Sequence, residues 1–452
     1  MRVSARLPID EILTLIRQFP ESGCFWVAYS GGVDSHVLLH ALSAVRESLP
    51  GKLGAVHVDH TLHPDSGNWS DHCRSVCANL MIPFQLLPVD ARAAPGTSPE
   101  AAARDARYRV IAEWLPPGDV LLSAHHQDDQ AETLLLQLMR GSGPRGLASM
   151  PIRVPLGRGS LLRPLLSVTR SVLLDYAQSQ GLQWIEDPSN TDTGIDRNFL
   201  RHLILPVLRQ RWPSASASIT RCTGLCAESS ALMDMLAADD LLGFPETPAR
   251  TLPIPALRAL PVVRQRNLLR FWLRRQGVRP PSHRVLERVE REVLKSRADA
   301  SPRVIWGGVE IRRYRDLIHL LPVLPVPDPG YRMDWSLDKP LRLPAAGGIL
   351  TARPGIGTGL KASASVQVRY RQGGEICRPS GRNHHHALKK LYQERGIPPW
   401  ERERIPLIYV DRKLAAVAGL WICEPFKARA GEAGMEIDWQ PEIPALFPRG
   451  RL

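Results

Sequence analysis

Six consecutive residues, Ser30-Gly31-Gly32-Val33-Asp34-Ser35, carry the most legible chemistry in this chain. Glycine has no Cβ, so Gly31 and Gly32 let backbone N–H groups approach an anion closely, and the Ser30 and Ser35 hydroxyls add donors. An apolar run at 25–29 precedes the turn, and Val37, Leu38, Ala41, Leu42 and Val45 follow it at helical spacing. A buried strand therefore feeds a helix over about 34–45, whose N-terminus brings partial positive charge to the same point. Together these features make a phosphate cradle. Asp34 would repel a phosphate unless a divalent cation lay between them, which makes it a candidate magnesium contact. The spacing is neither Gly-x4-Gly-Lys-Ser/Thr nor Gly-x-Gly-x-x-Gly.

A second cluster, His125-His126-Gln127-Asp128-Asp129-Gln130-Ala131-Glu132-Thr133, follows the apolar run 120–123 and leads into Leu134, Leu135, Leu138 and Met139 at helical spacing. Asp129 and Glu132 are three apart and share a helix face, whereas Asp128 suits a helix cap. Arg104 and Arg107 have the same separation in a predicted helix. They suit either a triphosphate or salt bridges to neighbouring acids, and spacing does not decide between these. Asp59 and His60 close a further apolar run, 53–58.

These residues need a frame. Strands at 53–58, 83–89 and 120–123 alternate with helices at 68–81 and beyond 99, and a helical region is expected over 163–181. That alternation implies an α/β fold with a parallel sheet, whose ligand crevice lies at the C-terminal strand ends. Asp59, His125 and Asp129 all fall there.

At 452 residues the chain is too long for one core, and about 150 residues per domain suggests roughly three. A net charge of +13 points to a polyanionic partner, nucleic acid before membrane, since no lipidation signal or basic amphipathic tail accompanies it. Seven cysteines, an odd number, argue against a disulfide framework. The pairs Cys73/Cys77 and Cys222/Cys226 read as buried thiols. No apolar run reaches the ~18 residues a membrane span needs, and the expected compartment is the reducing cytoplasm.

Beyond the cluster, Arg140-Gly-Ser-Gly-Pro is a basic exit loop suited to RNA contact. Arg197, Arg201 and Arg209, with Asn198 among them, form a predicted basic helical stripe suited to phosphates. From about 214 the texture becomes helical, with a hairpin over 303–320 turning on Gly307-Gly308 and a candidate RNA surface over 264–284. A proline-rich linker follows at 322–332, and 333–452 reads as β-rich α+β with a helix near 387–395 and a hairpin over 407–422 turning at Asp411-Arg412. Arg382, Lys389 and Lys390 make its helix approach basic. The consecutive His384, His385 and His386 cannot all face one ion, so that loop reads as RNA-facing.

The Ser-Gly-Gly-x-Asp-Ser turn resembles the loop of the N-type ATP pyrophosphatases. The whole set resembles the tRNA(Ile)-lysidine synthetase family: residues 30–35, 58–60, 100–108, 125–133, 140–144, 184–190 and 196–201, then Leu388-Lys389-Lys390-Leu391-Tyr392 and Pro398-Pro399-Trp400. The resemblance implies a parallel-sheet PP-loop ATP pyrophosphatase domain (1–213), a mostly helical tRNA-binding domain (214–321) and a C-terminal β-rich tRNA-binding domain (333–452). It also implies a two-step reaction on the wobble cytidine of a CAU-anticodon isoleucine tRNA. The cytosine O2 takes AMP from ATP, and free L-lysine then displaces AMP. On that resemblance Ser30, Gly31, Gly32, Val33, Asp34, Ser35 and Asp59 bind ATP; Asp34 and Asp129 hold Mg2+; Arg104 or Arg107 contacts phosphate; and Asp129 with Glu132 serves metal and lysine. Arg140, Arg197, Asn198, Arg201, Arg382, Lys389 and Lys390 are left to contact tRNA. Monomer and homodimer both stay open. A tRNA 2-thiolase would need a sulfur-carrying cysteine, and neither the cradle nor 125–133 contains one. A non-catalytic tRNA-binding protein would not need Asp34 and Asp129.

Overall fold

The run before the glycine pair is strand β1 (Cys24–Ala28), with Phe25 and Val27 fully buried. Lys52–Asp59 (β2) pairs along one side of it, with Phe84–Pro88 (β3) beyond; Val120–Leu122 (β4) pairs along the other, and every pairing is parallel. The hairpin of Arg153–Leu156 (β5) and Gly159–Leu162 (β6) completes a sheet of order β3-β2-β1-β4-β6-β5, with β6 parallel to β4 and only β5 antiparallel. The fold class is therefore α/β, as the alternation implied. In this computed structural model, residues 6–59, 66–90, 99–297, 300–345, 347–361 and 365–442 are described.

The helices of this region are α1 (Ile9–Ile16), α2 (Val33–Ala44), α3 (Ser66–Asn79), α4 (Pro99–Trp114), α5 (Gln127–Met139), α6 (Pro144–Leu147) and α7 (Arg170–Ser179). Val37, Leu38, Leu39 and Leu42 of α2 are all fully buried, so this helix is a core element rather than a half-exposed one. It packs on α7, where His40 Nδ1 lies 3.0 Å from the Tyr176 hydroxyl.

Two expectations change. The region 163–181 is helical only from Arg170, where the Thr169 hydroxyl caps the Val172 N–H at 3.4 Å; before it, Arg163-Pro164 turns, because a residue preceding proline is driven out of the helical region. The β5–β6 hairpin went unpredicted, its strands being only four residues each.

The chain divides into two compact units between Met235 and Leu236, within the continuous helix Ala215–Leu242. The second unit contains separate cores. One, spanning residues from Ala237 to Leu320, joins Leu268, Leu269 and Trp272 to a four-stranded sheet that includes the Gly307-Gly308 hairpin. Further cores, from Trp335 to Ala418 and from Cys377 to Cys423, fill a region of antiparallel sheets around the helix Leu388–Glu394. Asp411 and Arg412 both adopt positive φ, 48° and 63°, the left-handed pair a tight two-residue hairpin requires.

Cysteine usage also differs from expectation. Cys73 and Cys77 are buried, but Cys222 is exposed and Cys226 half-exposed. Cys377 and Cys423, 46 residues apart, are joined as a disulfide with Cα atoms 5.9 Å apart. A bridge between Pro379 and Cys423 brings these strands together, and no spacing pattern in the sequence announces it.

Candidate functional site

The cradle is knit from its own atoms. The Ser30 N–H donates to Ser35 Oγ at 3.2 Å, the two serine hydroxyls meet at 3.1 Å, and Ser35 Oγ donates to the Gly32 carbonyl at 3.0 Å. Gly31 has φ +83°, and a Cβ there would lie 2.5 Å from Ile185 Cδ1 and 3.1 Å from Cys73 Sγ. Only glycine fits, on conformational and steric grounds alike. The loop 184–190 is latched to the same residue, since the Ile185 N–H donates to the Gly31 carbonyl at 2.9 Å. Gly32 caps α2 and Val33 begins it, so the helix N-terminus opens at the cradle.

A cavity of about 190 Å³ opens at the C-terminal ends of β1 and β4. Ser30, Gly32, Asp34, Arg107, His125 and Asp129 line it, so the structure brings both predicted clusters to one place. Arg107 reaches this cavity, whereas Arg104 stacks over the Tyr108 ring at 5.6 Å. Asp59 ends the neighbouring strand β2 outside the lining, and His60 lies outside the described residues.

At the other wall, His126 caps α5. Its Nδ1 accepts the Asp128 N–H at 3.2 Å, while the His126 N–H donates to Asp129 Oδ2 at 2.9 Å, a reciprocal cap that fixes both carboxylate and imidazole. Its Nε2 lies 3.6 Å from Asp34 Oδ2 and 3.5 Å from Asp129 Oδ2, tying the cradle to α5. Burial alone would lower the His126 imidazole, but Asp129 and Asp34 outweigh it and raise its pKa.

Four predicted residues have other uses than those expected. Arg197 donates from Nε to Glu132 Oε2 at 2.7 Å and from Nη2 to Asp129 Oδ1 at 2.8 Å; Arg201 donates from Nε to Glu132 Oε1 at 2.7 Å. These guanidiniums point into the fold instead of forming an open phosphate stripe, and Arg209 likewise pairs with Asp128 at 2.6 Å. Asn198 is buried and clamps the 187–192 loop by donating to the carbonyls of Ser189 and Asp192 at 2.9 and 3.0 Å. The signal that could have revealed this was the cluster of three acids, Asp128, Asp129 and Glu132, in one helical segment, available to the arginines of another.

Glu132 consequently has no solvent exposure and both oxygens engaged, so it cannot reach a metal or a substrate. Burial would raise the Asp129 carboxyl, but His126 and Arg197 hold it well below the usual carboxylate range. Both Asp129 oxygens are already engaged although the residue borders the cavity, so the carboxylate open to direct metal coordination is Asp34, whose Oδ1 is buried without a hydrogen-bond partner. Among the described residues no group of three or more metal-binding side chains converges. One or two carboxylates plus phosphate oxygens is how proteins hold magnesium, so the donor set fits that ion.

Of the remaining predicted tRNA contacts, Arg140, Lys389 and Lys390 are exposed, and Arg382 pairs with Glu394 at 2.9 Å. No described helix is long and apolar enough to cross a membrane.

Known proteins match this arrangement along the chain. Residues 8–208 match the model of a PP-loop domain, 252–319 that of a TilS substrate binding domain, and 366–439 that of a TilS substrate C-terminal domain. A tRNA(Ile)-lysidine synthase from Coxiella burnetii is 42% identical over 435 residues, covering 96% of each chain. One from Methylococcus capsulatus is 44% identical, covering 92% of this chain and 96% of the other. One from Alkalilimnicola ehrlichii is 46% identical, covering 91% and 93%.

Proposed function

This chain belongs to the tRNA(Ile)-lysidine synthase family, and from that premise we propose how its residues divide the reaction. The protein is an ATP-dependent, AMP-forming ligase that joins L-lysine to C2 of the wobble cytidine of CAU-anticodon tRNA(Ile) through an adenylated intermediate. The observation that carries this reading is the shared cavity, in which a phosphate cradle, a cation-ready Asp34, Arg107 and an ionised Asp129 face one space.

The chemistry explains the division of labour. A carbonyl oxygen at C2 leaves poorly until it is esterified, so ATP must first be split between its α- and β-phosphates. The cradle N–H and hydroxyl groups, with Arg107, hold the departing pyrophosphate, where positioned charge contributes most. Asp34 would hold a magnesium ion, which supplies charge neutralisation for phosphoryl transfer. Lysine arrives protonated, and Asp129, which borders the cavity and is kept anionic by His126 and Arg197, attracts the ε-ammonium toward C2; the ammonium gives its proton to solvent, the free amine forms the N–C2 bond, and AMP leaves with the electron pair of the C2–O bond. Glu132 acts through Arg197 and Arg201 as a positioning residue. The exposed Arg140, Lys389 and Lys390 contact the tRNA backbone.

Sulfur transfer fits the cavity poorly. Cys73 lies fully buried beside the cradle, and burial pushes its thiol up to about 12, so no nucleophilic thiolate is supplied there. Incubation with ATP, radiolabelled lysine and unmodified tRNA tests the reading. Label joined to cytidine, with one AMP per lysine, is the expected result; release of ADP instead of AMP would refute it.

A further inference from the structure

A second cavity, of about 400 Å³, lies wholly within the second compact unit and serves no step described above, although it has about twice the volume of the reactive one. It opens between two sheets. Trp421–Ile422 is the edge strand of a five-stranded sheet and Leu360–Lys361 that of a four-stranded one, and residues of both edges line the space. Most of the lining is apolar, with the half-buried Trp421 as its aromatic wall. The Tyr392 ring props that indole at 5.7 Å, and the exposed Arg395 guanidinium lies 5.7 Å from its centroid. Three polar side chains interrupt the apolar lining with bonding capacity to spare. Among the described residues the Ser380 hydroxyl and the exposed Lys427 ammonium have no side-chain partner, and Glu436 uses only Oε1, which accepts from Thr358 Oγ1 at 2.8 Å. An apolar cleft with an aromatic wall and a few convergent polar groups is how proteins seat small planar ligands.

We propose that this cavity takes one unpaired nucleobase of the tRNA, other than the wobble cytidine, with Trp421 stacked on the base, Glu436 accepting from its exocyclic amine and Lys427 on the adjoining phosphate; this goes beyond the reading that the second unit contacts tRNA, and rests on it. The charges decide the occupant. The Glu436 carboxylate repels a phosphate and selects a ligand part that donates N–H, while Lys427 and Arg395, with Lys389 and Lys390 on the helix that carries Tyr392, supply the cations a nucleic acid backbone needs. A paired base in an A-form stem shows neither its face nor its pairing edge to a side chain, so only an unpaired one enters such a cleft. Adenine, guanine and cytosine carry the amine that Glu436 accepts from, and uracil does not.

The test places 2-aminopurine, a fluorescent base that bears an exocyclic amine and dims on stacking, in turn at each unpaired position of CAU-anticodon tRNA(Ile) outside the anticodon loop, and titrates each RNA with full-length protein. One position is expected to dim on binding the wild type and to stay bright with Trp421→Ala, whose tRNA affinity is expected to fall about 5- to 150-fold, the range for loss of one base–aromatic stack. Trp421→Phe keeps a ring and is expected to restore the dimming and most of the affinity. Uracil at the same position is expected to weaken wild-type binding about tenfold or more relative to an amine-bearing base, and to make no difference to Glu436→Ala. Dimming at no position, or a Trp421→Ala protein that binds as tightly as wild type, would overturn the proposal. Equal loss of affinity in the alanine and phenylalanine variants would overturn it in favour of packing against Tyr392. Micromolar binding of AMP lost in a Trp421→Ala protein that keeps its tRNA affinity would overturn it in favour of a free nucleotide. Wild-type protein that bound none of the RNAs would instead overturn the reading that the second unit contacts tRNA.

Discussion

Arg201 Nε lies 2.7 Å from Oε1 of Glu132, a carboxylate with no solvent exposure, and Arg197 engages the opposite oxygen at the same distance. Two guanidiniums thus neutralise one buried charge and share Asp129 as a second acceptor. The helical segment 196–211 is anchored to α5 by this network, and α5 in turn is anchored to the cradle through His126. The geometry of the reactive wall depends on residues that never meet substrate.

Removal of one partner from such a group leaves buried charge uncompensated, which typically costs about 3–5 kcal/mol. Glu132→Ala is therefore expected to lose stability of that order in urea denaturation and to lose ligation activity with it. Arg201→Lys, which keeps the charge but cannot fork onto the carboxylate, is expected to be intermediate. A Glu132→Ala protein with wild-type stability and activity would show that the network positions nothing.

Asp34 meets that network only through His126, half-open at the cavity with one oxygen lacking a partner. Asp34→Ala is expected to abolish AMP formation while leaving tRNA affinity within about twofold, because the exposed basic residues proposed to bind tRNA lie elsewhere. Filter binding of tRNA beside an AMP-release assay checks both halves. Loss of tRNA affinity with retained AMP formation would reverse the assignment.

Periodicity made much of this legible. The strand, two glycines and a helix start at 24–44 appear where expected, because apolar spacing and backbone permissiveness are local properties. The partners of Arg197, Arg201 and Asn198 were not legible. These contacts span up to 72 residues, and a basic helical stripe reads the same whether its charges face water or buried acids. The disulfide between Cys377 and Cys423 was hidden for the same reason, its partners meeting only through tertiary pairing.

Two histidines near the cradle make the fold sensitive to mild acid. Burial, with His72 nearby, pushes the His36 imidazole down to about 4, and burial with surrounding arginines pushes His125 to about 3. Their folded-state pKa values lie below the ordinary 6.5, so between about pH 6.5 and 4 the unfolded chain binds more protons. The stability these two imidazoles contribute is therefore complete above that window and is lost as pH falls through it, opposed by His126, whose raised pKa acts with the contrary sign. Asp129, depressed in the folded state, adds a loss of the same sign below about pH 4. Tm is expected to fall steadily from pH 7 to pH 5, and less steeply in His36→Gln. A flat Tm across that range would contradict the placement of these imidazoles.

Lys389 and Lys390 are exposed on the helix Leu388–Glu394, whose opposite face buries Leu388, Leu391 and Tyr392. A helix so anchored presents its lysines at fixed positions, which suits contact with a tRNA backbone better than a mobile loop would. Each phosphate contact releases condensed counterions, so its loss lowers the slope of log affinity against log salt by roughly 0.7–0.9. Replacement of both lysines by alanine is expected to reduce that slope by about 1.5, to weaken tRNA binding most at low salt, and to leave ATP KM unchanged. The substitutions touch no buried side chain, so Tm is expected to stay constant. An unchanged salt slope would remove this helix from the tRNA interface and leave Arg140 as the first residue to examine in its place.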